Sequence, residues 1–147
     1  MRIIKFRGRS LDGKEWYHGD LEYNRVDNIA RIHTYDKDGY YIRQYYVNPD
    51  TVGQFTGLQD KNGKDIYEGD IMYSEFSDGS GGYSLIGWNE REASFGMMDA
   101  YSYQSKQEGY DFPEFKNYVL IAHLQKALIC EVVGNIYDNP ELLTKTK

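Results

Sequence analysis

A chain of 147 residues with 40% hydrophobic and 16% aromatic content can bury a core; global disorder is excluded, and residues 1–147 read as one domain or as two interleaved β subdomains. The formal net charge is −6, split as +2 over residues 1–49, −6 over 50–92 and −2 over 93–147, which disfavours bulk binding to a phosphate backbone. No apolar run approaches the ~20 residues of a membrane span, "MRIIKFRGRS" lacks the apolar stretch of a signal peptide, and a lone cysteine makes no internal disulfide, so the expectation is a cytoplasmic protein without membrane contact.

In chain order, "RIIKFRG" (2–8) reads as a first strand and "WYHGDLEYN" (16–24) as a second, interrupted at Gly19. "NIARIHTY" and "YYIRQYYV" flank "DKDG", a hairpin signal, because Asp bonds to nearby backbone and Gly supplies a left-handed position. Pro49 ends that group. "TVGQFTGL", the turn "DKNG" and "KDIYEGDIMYSEF" repeat the device, with a break or bulge at Glu68-Gly69-Asp70. "SDGSGG" (77–82) reads as a mobile hairpin tip, followed by strands "YSLIGWN" and "EASFGMM". Residues 99–117, polar and Tyr-rich, read as a long surface loop. "YVLIAHLQKALICEVVG" is helix or strand in its first half, and "ALICEVVGNIY" favours strand. "NPELL" starts a short helix, with Asn139 as cap and Pro140 at the first helical position. "VGQF" (52–55) and "VGNI" (133–136) echo each other. The 15 tyrosines suit half-buried strands with wet hydroxyls. The fold expected is mainly β, all-β or β-rich α+β: a small barrel or packed antiparallel sheets with short helical pieces.

Neither DKxG loop has EF-hand spacing: with Gly63 at position 6, Leu58 and Gly69 fall at positions 1 and 12, and with Gly39 there, Thr34 and Tyr45 do. Asp60, Asp65, Glu68 and Asp70 lie close enough in sequence to divide acid and base roles, but acids in turns are ordinarily solvated and serve local backbone bonds. His18, His33 and His123 fit no local metal motif, and no CxxC or HExxH occurs. Cys130 lies in an apolar strand, where burial raises a thiol's pKa and hides it. "GSGG" (79–82) lacks the Lys-Ser/Thr of a phosphate loop. No catalytic, cofactor-binding or metal-binding set emerges. Arg2, Lys5, Arg7 and Arg9 are the one basic cluster, read as the wet face or edge of a strand, or as a site for an acidic partner.

Three blocks resemble the YopX-like proteins of bacteriophages and prophages. They are "RIIKFRG" (2–8), "VGQFTGLQDKNGKDIYEGDIM" (52–72), similar to a family pattern of the type YTGLKDKNGKEIYEGDIV, and "CEVVGNIYDNPELL" (130–143), similar to EVIGNIYENPELL. They occur in family order and cover under a third of the chain. The resemblance implies an intracellular, phage-derived, mainly β protein with no established catalytic residues. The motif then reads as turn chemistry and core, with Phe55, Gly57, Gly63, Ile66, Tyr67, Gly69, Asp70, Gly134, Asn135 and Pro140 as its structural positions. The expected role is a non-enzymatic accessory or regulatory protein acting through protein contacts, as a homo-oligomer. The alternatives are a nucleic-acid-associated regulator using the basic N-terminal strand, and an acidic inhibitor of a host DNA-binding protein using residues 50–92.

Overall fold

The computed structural model describes residues 1–75, 78–110, 115 and 130–144. The chain divides into two compact units contiguous in sequence, Met1–Gly57 and Leu58–Lys147. The fold is β-rich. The strands form two antiparallel sheets, and no sheet closes into a barrel among the described residues, so the barrel expectation gives way to open sheets.

The first unit holds β1 (Phe6–Arg9), β2 (Trp16–Asn24), β3 (Ile29–Tyr35), β4 (Tyr41–Val47) and the start of β5 (Gly53–Gln59), in the order β4-β3-β2-β1-β5. The first strand is shorter than "RIIKFRG" suggests: regular pairing starts at Phe6, opposite Gly19 and Gln54. β1 therefore lies inside the sheet and is not an edge. β2 runs unbroken through Gly19, where a Cβ would overlap the His33 carbonyl. Glycine permits a close strand approach at that point. Alternation of side chains puts Ala30, Ile32 and Val47 on a buried face, joined by Phe6, Tyr17, Leu21 and Val52. The opposite face carries Asp20, Glu22, Arg31, His33 and Gln44 in register. After β4, Asn48 Oδ1 accepts from the Asp50 N–H at 3.1 Å and opens the 3₁₀ turn Pro49–Thr51.

The second unit holds β6 (Asp65–Tyr67), β7 (Asp70–Glu75), β8 (Gly81–Asn89), β9 (Ser94–Asp99), α1 (Ala100–Gln107), β10 (Cys130–Asn135) and the 3₁₀ turn Pro140–Leu143. Its four-stranded sheet runs β10-β7-β8-β9. One core gathers Ile66, Met72, Ile86, Met97 and Cys130; a second gathers Ile71, Leu85 and Leu143, with Ala100 and Tyr103 of α1 against it. Consecutive residues Ile71 and Met72 thus serve different cores, so both faces of β7 are buried.

Three expectations are corrected here. Residues 100–107 of the supposed surface loop are helical. Asp99 caps the helix, accepting from the Ser102 N–H at 2.8 Å, and Gly109, with φ +89°, follows its end. Gly81 and Gly82 are not loop residues: they pair with Glu75 and Ser74 at the start of β8. Ser77 of that supposed tip lies outside the described residues. Asn139 makes no side-chain cap for the last 3₁₀ turn, although Pro140 stands at its start. The helix-or-strand question over 118–129 also falls outside the described residues, whereas Cys130–Asn135 is strand, as its β-branched residues suggest.

Candidate functional site

The motif of residues 52–72 is built first from a turn. Asp60 Oδ1 accepts from the backbone N–H of Asn62 (2.8 Å) and Lys64 (3.0 Å), while Gly63, at φ +77°, donates its N–H to the Asp60 carbonyl at 3.0 Å. The DKDG loop has the same geometry: Asp36 Oδ1 accepts from Asp38 and Tyr40, and Gly39 donates back to Asp36. Ser10 plays the Asp role in a third loop, with its hydroxyl accepting from Lys14 and Glu15 and Gly13 donating to its carbonyl. The spacing of Ser10 and Gly13 in "SLDG" was the available signal for that third turn.

The two acidic loops differ in what they hold. Asp60 is buried, and its second oxygen accepts from the Val132 N–H at 2.9 Å. Burial pushes its pKa up, but the N–H groups of Val132, Lys64 and Asn62 and the Lys64 charge outweigh that and hold it below the ordinary carboxylate range. Lys61 adds an N–H bond to the Cys130 carbonyl (3.1 Å) and an ion pair with Glu131 (3.1 Å). The turn between Leu58 and Asp65 is thereby fastened to β10.

A second fastening lies at Gly69. Its φ is +83°, its N–H donates to the Ile86 carbonyl, and its own carbonyl accepts from the Ile136 N–H, each at 2.9 Å. Asp70, 1% exposed, accepts from the Tyr67 N–H at 2.8 Å and so closes the Glu68-Gly69 bend on itself. The bend lets Ile66, Tyr67, Ile71 and Met72 all be buried. It does not send them to one common core, since Ile66 and Met72 share the first cluster while Ile71 joins the second. Asp60 and Asp70 thus depart from the expected solvated turn acids. Gly57 has φ +87°, Gly134 sits at the bulge of β10 opposite Ile71, and Asn135 Oδ1 accepts from the N–H groups of Tyr137 and Asp138, both at 3.0 Å.

The basic N-terminal residues each have their own local setting. Arg2 is exposed. Lys5 lies 4.5 Å from the centroid of the Phe55 ring and Arg7 lies 4.9 Å from that of Trp16. Arg7 is buried in the interior of the sheet, and Arg9 donates from Nε to the Gly13 carbonyl at 2.8 Å. Cys130 is buried beside Ser74 Oγ at 3.0 Å; burial raises its thiol pKa, with Ser74 opposing. Among the described residues no group of three or more His, Cys, Asp or Glu side chains could hold a metal ion. His123 is outside them. No helix among the described residues is long and apolar enough to cross a membrane.

The surface with open chemistry is the outer face of β2, β3 and β4. Glu22 bridges Arg31 and His33, whose Nε2 lies 2.9 Å from Glu22 Oε2. The His33 hydrogen bond, helped by Arg31 and opposed by desolvation, lowers the Glu22 pKa. Arg31 also covers the Tyr46 ring at 4.7 Å. Tyr35 and Tyr41 meet edge to face at 6.2 Å, and a hydrogen bond to Asp20 raises the Tyr35 pKa. Tyr41 and Ile42 are each 57% exposed and Tyr46 49%. Sequence reading registered the tyrosines without this surface, because period-two alternation does not say which face is wet.

A family model described as YopX protein matches residues 5–144. Among solved structures, the chain resembles the crystal structure of protein EF1440 from Enterococcus faecalis, with a TM-score of 0.50 and 22% sequence identity over 97% of this chain and 99% of that one. That likeness is one of fold. No curated protein matches the chain.

Proposed function

This chain belongs to the YopX protein family, and on that footing we propose that it is a phage- or prophage-derived accessory protein of the bacterial cytoplasm that acts through protein contacts, self-association included, and not through catalysis. The observation that carries this reading is the exposed aromatic surface of β2–β4, where Tyr35, Tyr41, Ile42 and Tyr46 stand beside Glu22, Arg31 and His33. Tyrosine combines large contact area with a polar tip and few rotors, a side chain enriched in protein interfaces. The motif acids lend no support to hydrolysis, because Asp60 and Asp70 are buried and bonded to backbone N–H groups. The same burial takes two charges from any acidic face over residues 50–92. The nucleic-acid alternative is weakened by the ring contacts of Lys5 and Arg7.

The test is affinity purification from host cells carrying the phage or prophage, with wild-type protein and with a Tyr41→Ser/Tyr46→Ser variant as parallel baits. A stoichiometric protein retained by the wild type and lost by the folded variant is expected. Recovery of nucleic acid that survives in the variant, or substrate turnover by purified protein, would overturn the reading.

A further inference from the structure

We propose that Tyr35 and Tyr41, with Asp20 beside them, receive an arginine side chain that a partner protein presents to the outer face of β2–β4. The inference rests on the protein-contact reading and names the group by which the partner is recognised.

A β-bulge builds this corner. The β3–β4 ladder pairs Thr34 with Arg43, and an unbroken register would set Tyr35 opposite Ile42. The shift between Thr34 and Tyr35 sets it opposite Tyr41 instead, and bulges of this kind re-aim side chains. The two tyrosine rings meet at 6.2 Å and 74°, and the Tyr41 ring lies 6.0 Å from that of His33. An edge-to-face pair keeps ring faces open, whereas the stacked pair Tyr17–Tyr45, 3.7 Å apart and 7° from parallel, covers them. Tyr35 is 43% exposed and Tyr41 57%. The Tyr35 hydroxyl donates to Asp20, which brings a carboxylate to the rings.

The same face shows what such a set holds. Glu22 on β2, Arg31 on β3 and Tyr46 on β4 lie in register. The Arg31 guanidinium pairs with Glu22 and lies 4.7 Å from the centre of the Tyr46 ring. Asp20 stands two residues before Glu22 on the same face of β2, with Tyr35 on β3 and Tyr41 on β4 beyond it. This second set has the carboxylate and the rings, and Asp20 makes no ion pair among the described residues.

Charge points to the same occupant. The turn between β3 and β4 adds Asp36 and Asp38 against one cation, Lys37. Ring faces and carboxylates both attract a cation, and the planar guanidinium of arginine lies on a ring while it bonds a carboxylate. A free small cation would be held on one side only by so open a corner. A protein segment adds contacts with Gln44 and Tyr46 along the same face, both exposed.

Amide NMR titration of the full chain with an N-acetylated, C-amidated Gly-Arg-Gly-Arg-Gly peptide tests the proposal. The amide signals of Asp20, Tyr35 and Tyr41 should shift saturably, and the affinity should fall as sodium chloride rises from about 50 to about 500 mM. The same peptide with citrulline in place of arginine, which keeps the shape and loses the charge, should leave them unmoved. Tyr41→Leu and Asp20→Asn should each weaken binding by about fivefold with unchanged circular dichroism spectra. Tyr41→Phe, which keeps the ring, should bind as the wild type does. An arginine peptide that moves none of these signals, or a citrulline peptide that moves them equally, would overturn the proposal on the wild type alone, whatever the variants do. Signals that move with protein concentration and not with peptide would put a second copy on this face and overturn it too. In each of these cases a host protein retained by the wild type and lost by Tyr41→Ser/Tyr46→Ser would leave the accessory reading standing.

Discussion

Two residues of one motif do different work. Gly69 stands at φ +83° with both backbone polar groups engaged; an L side chain in that region clashes with its own backbone. Gly69→Ala should cost more than about 1 kcal/mol. Gly82, whose Cβ would meet nothing within 4 Å, is the matched control, and Gly82→Ala should leave the denaturant midpoint nearly unchanged. Gly81 is unsuitable, because a Cβ there would overlap the Tyr73 ring. At Asp60, the carboxylate serves three N–H donors. Asp60→Asn keeps the shape but loses the charge and presents a donor where acceptors are needed, so stability at pH 7 should fall by about 1–3 kcal/mol. Because the folded pKa is depressed, the Asp60 contribution is fully present above about pH 4 and is lost as pH falls through the folded pKa. Urea titrations of both proteins should therefore converge on acidification. A gap that stayed constant down to the lowest accessible pH would show that charge is not what Asp60 supplies.

At the scale of elements, turns were legible and the helix was not. DKDG and DKNG close as expected because Asp reaches N–H groups two and four residues on, and Gly takes the left-handed position. "AYSYQSKQ" has no apolar stripe to announce a helix; its signals were the cap Asp99 and the stop Gly109, which a composition-led reading passed over. Asp99→Ala removes the bond to the Ser102 N–H and that from its hydroxyl. A loss of about 0.5–2 kcal/mol is expected, seen as earlier thermal melting. A helix held by its contacts with the second-unit core alone would melt unchanged.

For the whole molecule, net charge sets the expectation. At −6, and with Lys5 and Arg7 drawn onto aromatic rings, the protein should bind duplex DNA weakly or not at all near physiological salt. Fluorescence anisotropy with a labelled duplex measures this; submicromolar binding abolished by Arg2→Ala/Lys5→Ala/Arg7→Ala/Arg9→Ala would reverse it. The strand-rich class was readable from β-branched and aromatic segments between Gly/Asp turns. The division into Met1–Gly57 and Leu58–Lys147 was not: the charge balance turns negative after residue 49, but a shift in charge does not say which strands pack together.

The sequence by itself determined what short spacing can determine: the Asp–Gly turns, the bend at Gly69, the apolar setting of Cys130 and the YopX family motifs. Those depend on bonds within four residues or on composition. The tertiary structure decided where each group went next. Asp60 reaches Val132, 72 residues away; Gly69 is clamped between Ile86 and Ile136; Arg7 is buried on Trp16; and β4 leaves the side chains of Tyr41 and Tyr46 exposed. Such contacts follow from strand order and register. A shift of one residue in register exchanges the two faces of a strand, so no local pattern states which tyrosine meets water and which meets the core.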